Sequence, residues 1–301
     1  MKKNITSVVI LGASGRIGTR LLTGLLEAGF TVSVVSRPSS QTSFPQDALV
    51  YRAEYDDVKA LTEIFNGQDA VVSCITTLSC DMQKAAIDAA VEAGVKRFIP
   101  SEFSGDTSRA NSFSFKFASN TKLDIVTYLR TKEAEGLTWT AICTGAIIDM
   151  LLGNAHFGYD IANQKALVFD NGNYEHVMTT FRQLSRAVIS TLQHPDQTRN
   201  NYVYVRSFNV TQNLLVQRLE CLSGSRYTID RDTAKEADAR GKVFLEDGDI
   251  VGGYTNLSLA LSYGPYGYTS FASKTEPWIE ALKIPADEEL DEIVRSALEK
   301  N

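Results

Sequence analysis

The chain has 301 residues, 44% of them hydrophobic and 22% charged, and a formal net charge of −6. That length and mix suit a soluble globule with a substantial core, built as one large domain or as a core domain carrying a smaller one. Scattered lysines and arginines on a net-negative chain exclude nucleic acid as an expected partner, and the lack of any apolar run long enough to span a bilayer excludes a membrane.

The four cysteines (Cys74, Cys80, Cys143, Cys221) and three histidines (His156, His176, His194) follow no metal-ligand spacing, so no metal is expected. Cys74 and Cys143 fall in apolar strand-like runs and read as buried free thiols. The opening Met-Lys-Lys-Asn-Ile-Thr leads straight into a short apolar strand, too short for a signal h-region, which sets the expected location as the cytoplasm.

Short β-branched runs alternate with helical patterns through the first half. Ser7–Leu11 reads as a buried strand and Arg16–Ala28 as a helix with Leu21, Leu22 and Leu25 on one face. Thr31–Val35 and Ala48–Arg52 are strands, and Val58–Phe65 is a helix. Ala70–Cys74 follows as a strand, Met82–Ala93 as an alanine-rich helix, and Arg97–Pro100 and Leu137–Cys143 as further strands. Continuous apolar strands separated by helices predict a parallel sheet covered on both faces. The second half is less regular: helices over Arg182–Leu192, Gln212–Leu222 and Glu288–Lys300, a strand over Tyr202–Val205, and a Gly/Tyr-rich loop over Ser262–Tyr268 that could line a cleft. The expected class is α/β: a doubly wound Rossmann-type NAD(P)-binding domain over 1–150 and a smaller C-terminal substrate domain over 151–301. The strand near 202–206 is expected to rejoin the first sheet.

Gly12, Gly15 and Gly18 recur every three residues between the first strand and the first helix. In that context the first glycine permits a tight turn and the second lets main-chain N–H groups approach a pyrophosphate. The third lets the helix pack closely on the strand, and the helix N-terminus offers free N–H donors to phosphate. An NAD site places Asp or Glu at the end of the second strand, whereas this chain has Ser36-Arg37-Pro38. Arginine pairs with a 2′-phosphate and serine donates to it, so NADPH is the expected cofactor, with Arg16 as a possible second cation.

Several stretches resemble one family, the NmrA-like, isoflavone reductase-like atypical short-chain dehydrogenases. The resemblance rests on Gly12-Ala-Ser-Gly-Arg-Ile-Gly18, Tyr55-Asp-Asp57, the strand Asp69–Ser73, Gly136-Leu-Thr-Trp-Thr140 leading into Gly145, and above all Ala93-Gly-Val-Lys-Arg-Phe-Ile-Pro-Ser-Glu-Phe103. It covers residues 5–150 well and the second half in outline, with Gly264-Pro-Tyr-Gly267 as a late echo. It implies a lysine held near the nicotinamide some twenty residues after Pro-Ser-Glu-Phe, and Lys122 stands 21 residues after Ser101. The expected cofactor contacts are Gly12, Ser14, Gly15, Arg16, Ile17, Gly18, Ser36, Arg37, Tyr55 and Thr76. Phe103, Ala146, Met150 and Tyr263 are expected to face the substrate, and Glu102 to be structural, held through a backbone hydrogen bond or a cap.

Tyr128-Leu-Arg-Thr-Lys132 offers a competing acid/base pair of the YxxxK type. On one helix Tyr128 lies about 120° around from Lys122 and about 9 Å further along, so both cannot face one nicotinamide. A helix starting at Asn120 or Thr121 puts Lys122 in its first turn, at the sheet edge where ligands bind, and favours Lys122. His156 is a further candidate for the cleft region. The expected function is an NADPH-dependent reductase of a small aromatic or polycyclic metabolite, acting on a carbonyl, imine or activated alkene. The rivals are a dinucleotide-sensing regulator without turnover, and a non-redox isomerase or cyclase on the same fold. The substrate, the hydride face and the oligomeric state are not legible.

Overall fold

The computed structural model describes residues 4–112, 117–152 and 154–301. The first half contains, in chain order, β1 (Ser7–Leu11), α1 (Arg16–Glu27), β2 (Thr31–Ser36), β3 (Leu49–Arg52), α2 (Val58–Phe65) and β4 (Ala70–Ser73). These are followed by α3 (Gln83–Glu92), β5 (Arg97–Ile99), α4 (Phe117–Thr131) and β6 (Thr138–Cys143). Then come β7 (Ala146–Ile147), α5 (Ile148–Leu151), β8 (Tyr159–Asp160), β9 (Lys165–Phe169), β10 (His176–Thr179), α6 (Phe181–Gln193), β11 (Asn201–Tyr204) and β12 (Phe208–Val210). The chain closes with α7 (Gln212–Ser223), β13 (Thr228–Asp232), α8 (Ala234–Glu246), α9 (Ile250–Tyr263), α10 (Thr275–Ala281) and α11 (Leu290–Leu298).

A seven-stranded parallel sheet runs β11-β6-β5-β4-β1-β2-β3, the Rossmann-type arrangement expected from the apolar strand runs. Alternate side chains of β1 go to opposite faces. Val8 and Ile10 join Leu21, Leu22 and Leu25 of α1 and Leu184 and Val188 of α6, whereas Val9 and Leu11 join Leu61, Phe65, Ile87 and Leu129 of α2, α3 and α4. Chain order reverses between β1 and β4, and at such a switch point the loops leaving the carboxyl ends of the strands diverge and open a crevice. Residues from the second half also enter this body, because β11 extends the sheet beside β6 and α6 packs on α1.

A third core gathers Ile148, Tyr159, Phe169, Met178, Leu215, Leu219 and Tyr263 around two small sheets, β12-β10-β7 and β13-β9-β8. Sequence patterning misses both sheets, whose strands are two to five residues long. It also misses α8 and α9. The run Ser262–Tyr268 is therefore only partly a loop, since Ser262 and Tyr263 complete α9. A side chain at Gly253 would stand 2.5 Å from Leu245, so close packing of the α8–α9 hairpin is what that glycine permits. The terminal helix is shorter than Glu288–Lys300, because the Glu288 carboxylate is used ahead of it, accepting from Thr180 Oγ1 at 2.7 Å and Arg182 Nε at 2.8 Å. No helix among the described residues is long and apolar enough to cross a membrane.

Candidate active site

The turn from β1 into α1 is shaped by its glycines. Gly12 has φ +75° and a Cβ there would stand 2.8 Å from the Cys74 carbonyl oxygen, so both backbone and space demand glycine. A Cβ on Gly18 would overlap the Gly12 carbonyl oxygen. Gly15 differs. Its φ of −76° and ψ of 167° suit any residue, and a Cβ would meet only Gly12 O, at 3.3 Å. The fold itself has little need of glycine there, whereas a ligand closing on the main chain would. Gly15 caps α1 with no side-chain bond and no acidic residue in the first turn, leaving the positive helix end open to an anion.

Tyr55 acts through this turn. Its Oη accepts from Gly12 N at 3.0 Å and donates to Val35 O at 3.2 Å, which ties the loop to the end of β2. Burial pushes its phenol up. Ser36 is buried at the end of β2, and Arg37 next to it is exposed.

Beyond the carboxyl edge of the sheet lies a cleft of about 440 Å³. Gly15, Arg16 and Ile17 at the start of α1, Thr76 after β4, Lys122 of α4, Phe103 after β5, and Ala146, Met150 and Tyr263 further along the chain all line it. Nine of the residues named from sequence are thus brought to one cavity. Gly12, Ser14, Gly18, Ser36, Arg37 and Tyr55 are not among its lining residues; they belong to the glycine turn and the β2 end beside it.

Lys122 is 7% exposed, and its ammonium donates to the main-chain carbonyl of Glu102. It sits in the second turn of α4, not the first, because the helix begins at Phe117. Glu102 is buried; its main-chain N–H donates to Pro100 O at 2.7 Å, its carbonyl accepts from Lys122, and its carboxylate accepts from the Thr107 hydroxyl. Burial pushes this carboxyl up, against the nearby Lys122 charge and the Thr107 bond. Tyr128 faces away from the cleft: its Oη donates to Asp88 at 2.7 Å, and Lys132 pairs with the same carboxylate at 2.9 Å.

Two further expectations are corrected. Cys74 lies just past β4, half-buried in the cleft wall, and burial pushes its thiol up to about 12. His156 is exposed and is not among the lining residues, although Phe157 beside it is. Tyr263 does line the cleft; its hydroxyl donates to Phe157 O at 3.4 Å and its ring stacks on Phe169.

Sequence reasoning did not name Ser104, Gly105, Thr269 or the α9 residues Tyr254 and Leu259, all of which line the cleft; Tyr268, which also lines it, ends the run Ser262–Tyr268 expected there. Tyr268 Oη donates to Ser104 Oγ at 3.2 Å, and Asp106 N donates to Tyr268 O at 2.7 Å, so the 264–269 segment clamps the loop after β5. The aromatic-rich run Ser262–Tyr268 and the Gly264-Pro-Tyr-Gly267 echo within it were the available signals for this contact.

Apart from Arg16 and Lys122, no charged side chain among the described residues lines the cleft, and most of its surface is hydrocarbon. Such a space takes an uncharged, largely apolar molecule beside a dinucleotide held at the glycine turn.

The model of the NmrA-like family matches residues 2–227. The chain is 31% identical over 296 residues to the oxidoreductase aprR of Aspergillus flavus, covering 97% of this chain and 98% of that protein. It is 25% identical over 285 residues to the phenylcoumaran benzylic ether reductase POP1 of Populus trichocarpa, covering 86% and 92%. Among solved structures, AtPrR2 with NADP+ and (+)pinoresinol superposes with a TM-score of 0.81 at 21% identity, covering 99% of this chain and 100% of that one. A ternary complex of leucoanthocyanidin reductase from Vitis vinifera gives 0.80 at 20% identity, covering 97% and 99%. At that identity the two structures speak to fold alone.

Proposed function

The chain belongs to the NmrA-like family, and from that premise we propose that it is an NADPH-dependent reductase of a small aromatic or polycyclic metabolite. One observation carries the reading. The open glycine turn, a buried lysine and an apolar wall from the second half all face a single cleft at the switch point of the sheet. The names of the relatives support the same class, since aprR is an oxidoreductase and POP1 a reductase.

The residues present fit a dinucleotide. Gly15 leaves the space that a Cβ would fill, α1 presents an uncapped N-terminus, and Ser36 and Arg37 at the end of β2 offer a hydroxyl and a guanidinium to a 2′-phosphate. When bound, NADPH supplies a hydride from its nicotinamide ring. Residues 1–150 then hold the cofactor. The wall that positions an apolar substrate and excludes water comes from α5, at the junction of the two spans, and from α9 in residues 151–301. Lys122, steadied by the Glu102 carbonyl, donates or relays the proton that accompanies reduction of a carbonyl, imine or activated alkene.

The test is NADPH consumption against a panel of aromatic enones, imines and ketones. Turnover of at least one, lost in Gly15→Trp, is the expected result. If none turns over, while a partner protein binds the NADP+ and NADPH forms differently, the chain is a dinucleotide sensor and the reductase reading is wrong.

A further inference from the structure

Arg52 closes β3, and its register partner across the sheet is Ser36, the last residue of β2. In sequence it is merely the end of a strand. In the fold its guanidinium turns back over the β2 end: Nη1 donates to Ser36 Oγ at 2.9 Å and to the Ser40 carbonyl at 3.0 Å, with longer approaches to the carbonyls of Arg37 at 3.4 Å and Thr42 at 3.5 Å. One side chain therefore gathers the turn that carries Arg37. Because Ser36 Oγ accepts from Arg52, its own hydrogen stays available to an oxygen on the ligand side.

The electrostatics point the same way. Among the described residues neither Arg37 nor Arg52 takes part in an ion pair. Two exposed guanidiniums thus stand at adjoining strand ends, neither paired with a carboxylate among the described residues, on a chain of net charge −6. Arg52 is also held in place by uncharged acceptors, so its orientation is fixed while its charge is left unneutralised. A phosphomonoester carries about two negative charges, more than one arginine balances.

We propose that Arg52 is a specificity-determining residue. With Arg37 and Ser36 it forms a two-guanidinium seat for a phosphomonoester on the ribose beside the glycine turn, the group that distinguishes NADPH from NADH. Arg52 is the pre-set half, and Arg37 closes from the solvent side. The assignment rests on the cofactor reading above.

Calorimetric titration of NADPH, NADH, 2′,5′-ADP and 5′-AMP into the unmodified chain, Arg52→Gln, Arg52→Lys and Arg37→Gln tests it. Charge-assisted bonds of this kind make the expected loss in Arg52→Gln at least about tenfold for NADPH and 2′,5′-ADP, with NADH and 5′-AMP changed by less than about twofold. Arg52→Lys should recover part of the loss, and the affinity of Arg52→Gln for 2′,5′-ADP should depend less steeply on salt. If NADH weakens as much as NADPH, Arg52 only braces the turn and the inference is overturned. An NADPH preference intact in Arg52→Gln but lost in Arg37→Gln overturns it too, while leaving the cofactor reading standing. An unmodified chain that binds NADH as tightly as NADPH sinks both.

Discussion

The ammonium of Lys122 donates to the main-chain carbonyl of Glu102, and so joins α4 to the loop that follows β5. The carbonyl fixes where the amine points without supplying a neutralising charge, and the amine stays at the cleft wall. General acid/base groups contribute about 10²–10⁴-fold, so Lys122→Met should lower kcat by at least about 10² while leaving NADPH affinity nearly unchanged. Tyr128→Phe should keep most of the activity, since its hydroxyl is spent on Asp88 outside the cleft. The reverse pattern, a dead Tyr128→Phe beside an active Lys122→Met, would hand the chemistry to the Tyr128–Lys132 pair.

The three glycines of the turn should fail in different ways. Gly18→Ala drives a methyl into the Gly12 carbonyl, a backbone neighbour that cannot move aside, so the protein should lose stability by a few kcal/mol, roughly the cost of overpacking a core. Gly15→Ala keeps an ordinary backbone and meets Gly12 O at 3.3 Å, so it should fold nearly as well and bind NADPH more weakly. Urea midpoints and cofactor titrations on both variants separate the two effects. A Gly15→Ala that bound NADPH as the unmodified chain does would place the pyrophosphate elsewhere.

How far the sequence could be read follows from what each segment buries. β1, β2, β4 and β6 are apolar on both faces, and Gly12, Gly15 and Gly18 mark the one turn where spacing has a steric meaning, so the sheet and the glycine turn were legible. The start of α4 was not, because Ser119, Asn120 and Thr121 are residue types that cap helices, yet here they lie inside one. The small sheets escaped notice because strands as short as Ala146–Ile147 carry no periodicity. Arg52 could not be assigned a partner, since its link to Ser36 depends on the β2–β3 register.

Asp106 should prove to be the pin of the loop after β5. It is 1% exposed, and its carboxylate accepts from Lys274 Nζ at 2.7 Å and Tyr204 Oη at 3.2 Å. The main-chain N–H and hydroxyl of Ser108 donate to the same carboxylate, so Asp106→Ala strands the buried Tyr204 hydroxyl, releases the half-exposed Lys274 and frees the segment carrying Phe103, Ser104 and Gly105. A loss of about 2–3 kcal/mol is expected by denaturant unfolding, together with a raised KM for substrate. An unaltered KM would mean that the clamp by Tyr268 suffices alone.

The last prediction concerns acid. His176 is 2% exposed, with Nδ1 3.2 Å from Thr269 Oγ1 and its ring edge-on to Tyr263 at 5.2 Å. Burial pushes its imidazole down to about 4, against a hydrogen bond to the Ser262 backbone that acts the other way. In the unfolded chain the same group titrates near 6.5. Above about pH 6.5 both states are neutral at this position and it adds no pH dependence. Between about 6.5 and about 4 the unfolded chain holds a proton that the folded chain lacks, so stability falls as pH falls, by up to about 3 kcal/mol in total, and levels off below. His176→Asn removes the proton-binding group: it should be less stable than the parent at pH 8, having lost the ring contact with Tyr263, yet lose less stability from pH 7 to pH 4.5. Glu102, which burial pushes up, works in the opposite sense over the acid range, but it is common to both proteins and cancels in the comparison. Tyr263 and Thr269 both line the cleft, so protonation of His176 should also loosen the wall that faces the substrate, raising KM in acid for the parent more than for His176→Asn. Parallel stability curves for the two proteins between pH 7 and pH 4.5 would show that His176 is not the group responsible.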